Sequence, residues 1–438
     1  MSVALSPLRP LAVQKATLSN GVVVVTAPMP HHARCHIFVQ LRGGPVHEDD
    51  ETWGLSHVLE HMVFRGTKSH ADALAVGLAA DDFGGDIGAA TYRDRVTFDT
   101  RCDPDRIADA FVLLAEMLGT PLFEGLKTEL SIIEEELTEL YDDDGQEIDV
   151  DNASFRQVFA GDVLSRSIEG TVGHLKRITP ARLEAFHRRN YVGGNVVVSV
   201  AGPVDHAAVV AAATTSMGRL PPGAAPAFGV APKVHEPHAR DVVVIKTEDA
   251  QTSLRLTVPT VGFASPMSST TSMLARIVDD GPASRLQQEV IDRDGLAYAA
   301  WAMSDLYQER GVFELAGQVR HDRVAVLVEA FASQLRRLMQ EPPSAAELDR
   351  VCKRAWRDAR DMLDEPAALA EAIGKAALFS QPFDLAEQLI RLAAVDGAAV
   401  SAEATRLAAR AQLVMVGLPR KKEVVAATKA LETLRATV

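Results

Sequence analysis

Two short apolar runs with the same ending, NVVVSVAGP at residues 195–203 and QLVMVGLP at residues 412–419, close two stretches of chain that otherwise repeat one order of elements. In the first stretch, ATLSNGVVVVTA reads as two strands joined at Asn20-Gly21, the dipeptide that best accepts the positive φ angles of a tight hairpin turn. HIFVQLRGG gives a third strand, helical patterns follow near 53–65 and 70–83, two strands near 87–101, and amphipathic helices from about 104 to 190. In the second stretch come the strands DVVVIKTE and QTSLRLTVP, helices over about 267–293, strands LAYAAWAMS and GVFELAGQV, and helices over roughly 322–410. This is a weak internal duplication. Residues 217–238, MGRLPPGAAPAFGVAPKVHEPH, are dense in Pro, Gly and Ala without a sustained period and read as a connector.

Hairpin-linked strands followed by blocks of helices predict an α+β chain: two homologous sandwich domains, residues 1–216 and 239–438, each a mainly antiparallel sheet with helices packed on one face. A doubly wound parallel sheet needs strict strand–helix alternation, which the runs of consecutive helices lack. A length of 438 residues also exceeds one ordinary core.

Composition removes several function classes. A formal charge of −14 with no basic stripe argues against nucleic acid, and no apolar run approaches the length of a membrane span. The apolar stretch at the N-terminus is interrupted by Pro7, Arg9 and Pro10, too short for a secretory signal, and Cys35, Cys102 and Cys352 stand apart without CxxC spacing. A cytoplasmic protein with reduced thiols is the expectation.

Within GLSHVLEHMVFRGT stand His57, Glu60 and His61. On a helix the two histidines, four apart, share one face, and Glu60 lies on it too, while Val58, Leu59, Met62 and Val63 anchor the opposite side. Two imidazoles with a carboxylate suit zinc, whose catalytic sites use three protein ligands and keep one position open. The order is the inverse of HExxH, the inverzincin arrangement. A third ligand is available in TELSIIEEELTEL, where Glu129 and Glu136 lie seven residues apart, near two helical turns, with Leu130, Ile132, Ile133 and Leu137 as the buried side. Glu134, Glu135 and Glu139 lie close by, and spacing alone does not single out Glu136. The cluster His31, His32, Cys35 and His36 fits a loop entering a strand, whose alternation sends Cys35 and His36 to opposite faces.

With these motifs in hand, the chain resembles the pitrilysin/insulinase family of metallopeptidases, in particular the short-chain branch that includes mitochondrial processing peptidase and many bacterial peptidases. TLSNGVVVV, the approach from Gly44 to Glu48, GLSHVLEHMVFRGT, FGGDIGAATYRD, TELSIIEEEL, IEGTVGHLKRITPARLEAFHRRNYVGGNVVVSVAG and GPASRLQQEVIDRDGLAY fall in the order that family shows. The resemblance implies that His57, His61 and Glu136 are zinc ligands, that Glu60 is the general base, and that Glu129 supports the site from behind the ligands. It implies one Zn²⁺ per chain, since the second half has no HxxEH and only His235, His238 and His321. It further implies a metalloendopeptidase acting on peptides in a chamber enclosed by two related chains.

Two positions depart from the family pattern. The arginine expected seven residues before the tyrosine of GLAY is Ile291, leaving Tyr298 alone of a substrate-gripping pair. The asparagine of the GGxxNAxT element is Gly88, so substrate contact at Gly88 and Ala89 rests on main-chain pairing with an extended peptide. The implied partner is a second copy or, preferably, a related chain carrying both Arg and Tyr. The readings that compete with a peptidase are a noncatalytic scaffold, as in core subunits of a respiratory cytochrome complex, and a zinc-dependent subunit that holds peptides without cutting.

Overall fold

The first hairpin shows how local chemistry sets the chain on its path. Strands β1 (Gln14–Thr17) and β2 (Val23–Pro28) pair antiparallel, with Thr17 opposite Val23. Between them Gly21, at φ 98°, takes the left-handed conformation, and Asn20 Oδ1 accepts the Val22 N–H at 3.3 Å. Asn20 itself is not left-handed. The Leu18 N–H bonds to the Val22 carbonyl and the Gly21 N–H to the Leu18 carbonyl, so the connection is wider than a two-residue turn and needs one positive φ instead of two.

This is a computed structural model, and it describes residues 8, 11–142, 144–227, 241–293 and 299–438. To β1 and β2 are added β3 (Cys35–Leu41), β4 (Ile87–Thr91), β5 (Val96–Cys102) and β6 (Val196–Gly202), in a six-stranded sheet of order β1-β2-β6-β3-β5-β4. The second sheet comprises β7 (Val242–Ile245), β8 (Thr252–Val261), β9 (Ala299–Leu306), β10 (Arg310–Val319) and β11 (Gln412–Val416), in the order β7-β11-β8-β10-β9. Apart from β1 the two orders are the same, strand for strand. In each, the first and last strands of the repeat, β2 with β6 and β7 with β11, form the parallel pair, and the other pairs are antiparallel. The α+β architecture of two sheet-containing domains is therefore present as expected.

One face of each sheet carries its own helices. In the first half, Leu55–Met62, Ala73–Asp82, Ile107–Gly119, Leu126–Thr138, Pro180–Asn190 and His206–Thr215 all contribute to one core with β2, β3, β5 and β6. In the second, Ser268–Val278, Val324–Gln340, Ala345–Asp364, Gly397–Ala408 and Lys421–Ala436 do the same over β8, β10 and β11. The last of these helices lies beyond the final strand, where the sequence pattern gave no element.

The opposite faces are covered reciprocally. Helix Pro366–Leu378, from the second half, lays Leu369, Ala370, Ile373 and Leu378 against Val25, Ala27, Val197 and Ala201 of the first sheet. Helix Val150–Val158, from the first half, lays Ala153 against Ile245, Val414 and Val416 of the second sheet, and Phe155 and Val158 join Tyr307 and Val312. A helix layer on one face alone would leave these strand residues in water, at about 1.5–3 kcal/mol for each large aliphatic side chain.

Two cysteines set apart in sequence are brought together: Cys35 on β3 and Cys102 on β5 are register partners, both fully buried free thiols, while Cys352 is half-buried. Burial pushes the thiol of Cys35 up to about 11. His36, next to Cys35, lies on the other, half-exposed side of the strand, as the alternation requires. Residues 217–227 of the expected connector run along the first half, with Met217 buried and Asn20 Nδ2 donating to the carbonyls of Met217 and Leu220 at 2.9 and 3.0 Å. The remainder, 228–238, lies outside the described residues. No helix among the described residues is long and apolar enough to cross a membrane.

Candidate metal centre

Helix Leu55–Met62 buries Leu55, Ser56, Val58, Leu59 and Met62, which turns His57, Glu60 and His61 to its half-exposed side. Its entry is sterically exacting. Gly54 precedes it at φ 90°, and a Cβ there would stand 2.8 Å from the Glu169 carbonyl oxygen, so only glycine fits.

Helix Leu126–Thr138 crosses beside it. Its buried stripe is Leu126, Glu129, Ile133 and Leu137, the i, i+3, i+7, i+11 positions of one helical face. Ile132, expected on that side, is instead 37% exposed, and Glu136 stands near the rim with 45% of its side chain accessible. Glu129, with a side chain only 4% exposed, cannot remain a bare carboxylate in such a place. Its Oε1 pairs with Arg65, one turn beyond His61, and its Oε2 lies 3.1 Å from His61 Nδ1.

A carboxylate accepts only, so His61 Nδ1 is the donor in this contact and Nε2 is the nitrogen turned toward Glu136. That nitrogen and His57 Nε2 each lie 3.8 Å from Glu136 Oε2. The two rings meet edge to face with centroids 4.7 Å apart. One donor atom from each of His57, His61 and Glu136 falls within 4.8 Å of the others, and this is the one group of three or more His, Cys, Asp or Glu side chains so placed among the described residues. Donors bonded tetrahedrally to zinc at about 2.0–2.1 Å are roughly 3.3 Å apart, so the two 3.8 Å separations need to shorten by about half an ångström, and the widest in the set by up to about 1.5 Å, to close on an ion. The donor chemistry fits zinc as well. Burial, followed by the neighbouring His61, pushes His57 down to about 4, which keeps it a neutral imidazole able to ligate. Its Nδ1 is buried without a hydrogen-bond partner, so packing orients this ring, whereas Glu129 orients that of His61.

Glu60 faces the same space but makes a different contact, accepting a hydrogen bond from the Thr91 hydroxyl on β4. Burial raises its pKa; Thr91 and His61 oppose that, and Glu136 adds to it. The result is a carboxylate shifted toward the range in which it can take and return a proton. Thr91 and Arg65 lie within the motifs FGGDIGAATYRD and GLSHVLEHMVFRGT, but periodicity assigns them no partner.

Of the expected substrate-binding residues, Gly88 and Ala89 lie on β4, an edge strand whose five residues are all half-buried and whose pairing partner is β5. Gly88 stands opposite Asp99, and a Cβ at Gly88 would come 2.8 Å from Asp99 Oδ1. An asparagine there would require Asp99 to swing aside. Tyr298 lies outside the described residues, and Ile291 sits in the helical segment Gln288–Arg293.

Comparison with known proteins shows the family and the fold. Residues 23–172 match the insulinase (peptidase family M16) domain, and residues 177–354 match the domain described as the peptidase M16 inactive domain. The chain is 27% identical over 362 residues to a protein of Rickettsia felis named as an uncharacterized zinc protease, covering 82% of this chain and 85% of that one. It is 32% identical over 199 residues to the beta subunit of the mitochondrial-processing peptidase of Dictyostelium discoideum, covering 44% of this chain and 41% of the subunit. A protease from Helicobacter pylori shares the fold, with a TM-score of 0.82 at 18% identity over 93% of this chain and 99% of that one. The inverted histidine motif on its glycine-entered helix, the repeated sheet order and the two matched domains together make this chain a member of the insulinase family, peptidase family M16.

Proposed function

We propose that the chain is a zinc-dependent metalloendopeptidase that hydrolyses peptides or unfolded segments, with His57, His61 and Glu136 holding one Zn²⁺ and Glu60 serving as base. The observation that carries this reading is the convergence of three donor atoms within 4.8 Å, two of them on neutral or hydrogen-bond-oriented imidazoles, beside a carboxylate that is not among them. The ion, when bound, supplies Lewis acidity to a water and to the scissile carbonyl. Glu60 takes a proton from the attacking water and returns it to the leaving amine as the C–N bond breaks. Thr91 holds the carboxylate of Glu60 in place. Glu129 keeps the His61 ring turned so that Nε2 faces Glu136.

The peptide lies along the open edge of β4, pairing through the main chain of Gly88 and Ala89. Tyr298 contacts it in a chamber closed by a second chain, either a copy of this one or a related chain that carries both Arg and Tyr.

The test is elemental analysis with a peptidase assay on the full chain. Wild type holds about one zinc per chain and cuts a fluorogenic peptide, and His61→Ala loses both. A wild-type chain without metal after zinc is supplied removes the proposal. Zinc retained with every peptide recovered whole leaves the peptide-holding reading instead.

A further inference from the structure

The helix that presents His57, Glu60 and His61 has no capping side chain of its own, because the residue before it is Gly54. A carboxylate comes instead from six residues upstream. Glu48 Oε2 accepts the Gly54 N–H at 2.8 Å, and Oε1 accepts the Ser56 N–H at 2.7 Å. The residue is 5% exposed, and Arg166 Nη1 donates to its main-chain carbonyl at 2.7 Å, so Glu48 is tethered at both ends. The Ser56 hydroxyl in turn accepts the Gly44 N–H at 2.8 Å, tying the same turn of helix to the segment that leads into Glu48.

We propose that Glu48 is a positioning residue for the metal site: its two-pronged grip on the N-terminus of helix Leu55–Met62 sets the rotation of that helix and so the aim of His57 and His61 toward Glu136. The inference rests on the reading of those three residues as zinc ligands. An eight-residue helix is about two turns long, too short to fix its own axis. Its first N–H groups have no partner within the helix, and the two carboxyl oxygens of Glu48 supply acceptors for two of them. His57 directly follows Ser56, so a first turn that rotates carries both imidazoles with it. Truncation at Glu48 leaves two N–H groups without their acceptors in a buried place.

The experiment compares the full chain with Glu48→Ala, Glu48→Gln and, as a control, Asp384→Ala, which removes the cap of helix Leu385–Ala393 by deleting its bond to the Glu387 N–H at 2.9 Å. Zinc dissociation constants are measured by competition with a chromophoric chelator, and melting temperatures on the metal-free chains. Glu48→Ala is expected to raise the zinc Kd by at least roughly tenfold and, at saturating zinc, to lower kcat with KM unchanged. Asp384→Ala is expected to lower the melting temperature while leaving the zinc Kd within about twofold. Glu48→Gln can accept only one of the two N–H groups, so it falls between, and it provides the reading if the alanine variant does not fold. Zinc binding within about twofold of wild type in the foldable Glu48 variant overturns the positioning role and leaves the zinc proposal standing. Failure of the wild type itself to bind zinc overturns that proposal instead.

Discussion

The two halves place equivalent helix pairs on equivalent sheets and fill the space between them with different chemistry. In the first half, helices Leu55–Met62 and Leu126–Thr138 bring His57, His61 and Glu136 together, donors and acceptors with no cation among them. In the second half the corresponding pair, Ser268–Val278 and Ala345–Asp364, is closed by its own charges. Arg276 bonds Asp280 at 2.9 Å and Asp358 at 2.6 Å, and Arg354 bonds Asp280 at 2.9 Å. Deeper in, the Thr271 hydroxyl donates to Glu403 at 2.6 Å, and Arg406 pairs with the same carboxylate. The equivalent helix pairs thus carry arginine–carboxylate pairs in one half and three convergent ligand atoms, backed by the Arg65–Glu129 pair, in the other. Among the described residues the second half brings no three His, Cys, Asp or Glu donor atoms together, its carboxylates being taken up by arginines.

The largest effect should separate the halves by activity. Glu60→Gln is expected to keep zinc and the fold but to lower peptide turnover by about 10²–10⁴-fold, because the amide cannot accept the proton of the attacking water. Asp358→Asn, in the equivalent helix pair, should leave turnover close to wild type and weaken only a half-exposed ion pair. Steady-state kinetics on one fluorogenic peptide, with zinc content measured in parallel, checks both. Near-normal turnover in Glu60→Gln would take it out of the base role.

A smaller effect should show the halves behaving alike. Ile373 and Phe155 sit on the exchanged helices, each filling the far face of the other half's sheet. Ile373→Ala and Phe155→Ala are each expected to lower stability by about 2–5 kcal/mol. Because each helix belongs to one half and covers the other, both variants should unfold in a single transition. Calorimetric traces that split into two transitions for either variant would break the picture of reciprocal cover.

Much of this comparison is legible in the sequence, and the illegible part has a common cause. A continuous apolar run at 22–25 and alternating apolar residues over 35–41 and 96–102 place the strands, and the four-residue spacing of His57 and His61 gives the shared face. These signals are local. Partners contributed from far along the chain are not: an amphipathic helix such as Pro366–Leu378 declares an apolar stripe but not which sheet it covers, and Cys35 gives no hint of Cys102 across the ladder. Likewise the seven-residue spacing offered Glu129 and Glu136 equally, and only the crossing of two helices turns one toward the histidines' open side and the other behind His61. Glu48, six residues before the cap position Gly54, escaped the usual capping pattern because the residue at that position is glycine.

The smallest expected effect concerns two acidic residues at matching places, Asp99 after Phe98 on β5 and Glu314 after Phe313 on β10, each beneath the helix lent by the other half. Burial raises both. Asp99 is pushed further by Glu371, whereas Glu314, although Arg255 and a hydrogen bond from Thr257 at 2.9 Å oppose the shift, is more deeply buried and reaches about 7 from an ordinary 4.5. Asp151 and Asp305 also face Glu314 and add to the rise, while Asp151 bonds the Arg255 guanidinium at 2.7 Å. A carboxyl whose folded value lies above its unfolded one holds extra protons in the native state between those values, so stability is greatest below about 4.5 and falls as the pH climbs through about 7. Glu314→Gln removes this dependence while keeping the hydrogen bond from Thr257 available, and Arg255 retains Asp151. The variant should therefore gain on wild type between pH 5 and pH 8 by an amount on the order of 1–3 kcal/mol. Denaturant unfolding at the two pH values measures it. An identical difference between the two proteins at pH 5 and pH 8 would mean that Glu314 titrates alike in the folded and unfolded chain, and that the second half holds its buried carboxyl no less comfortably than water does.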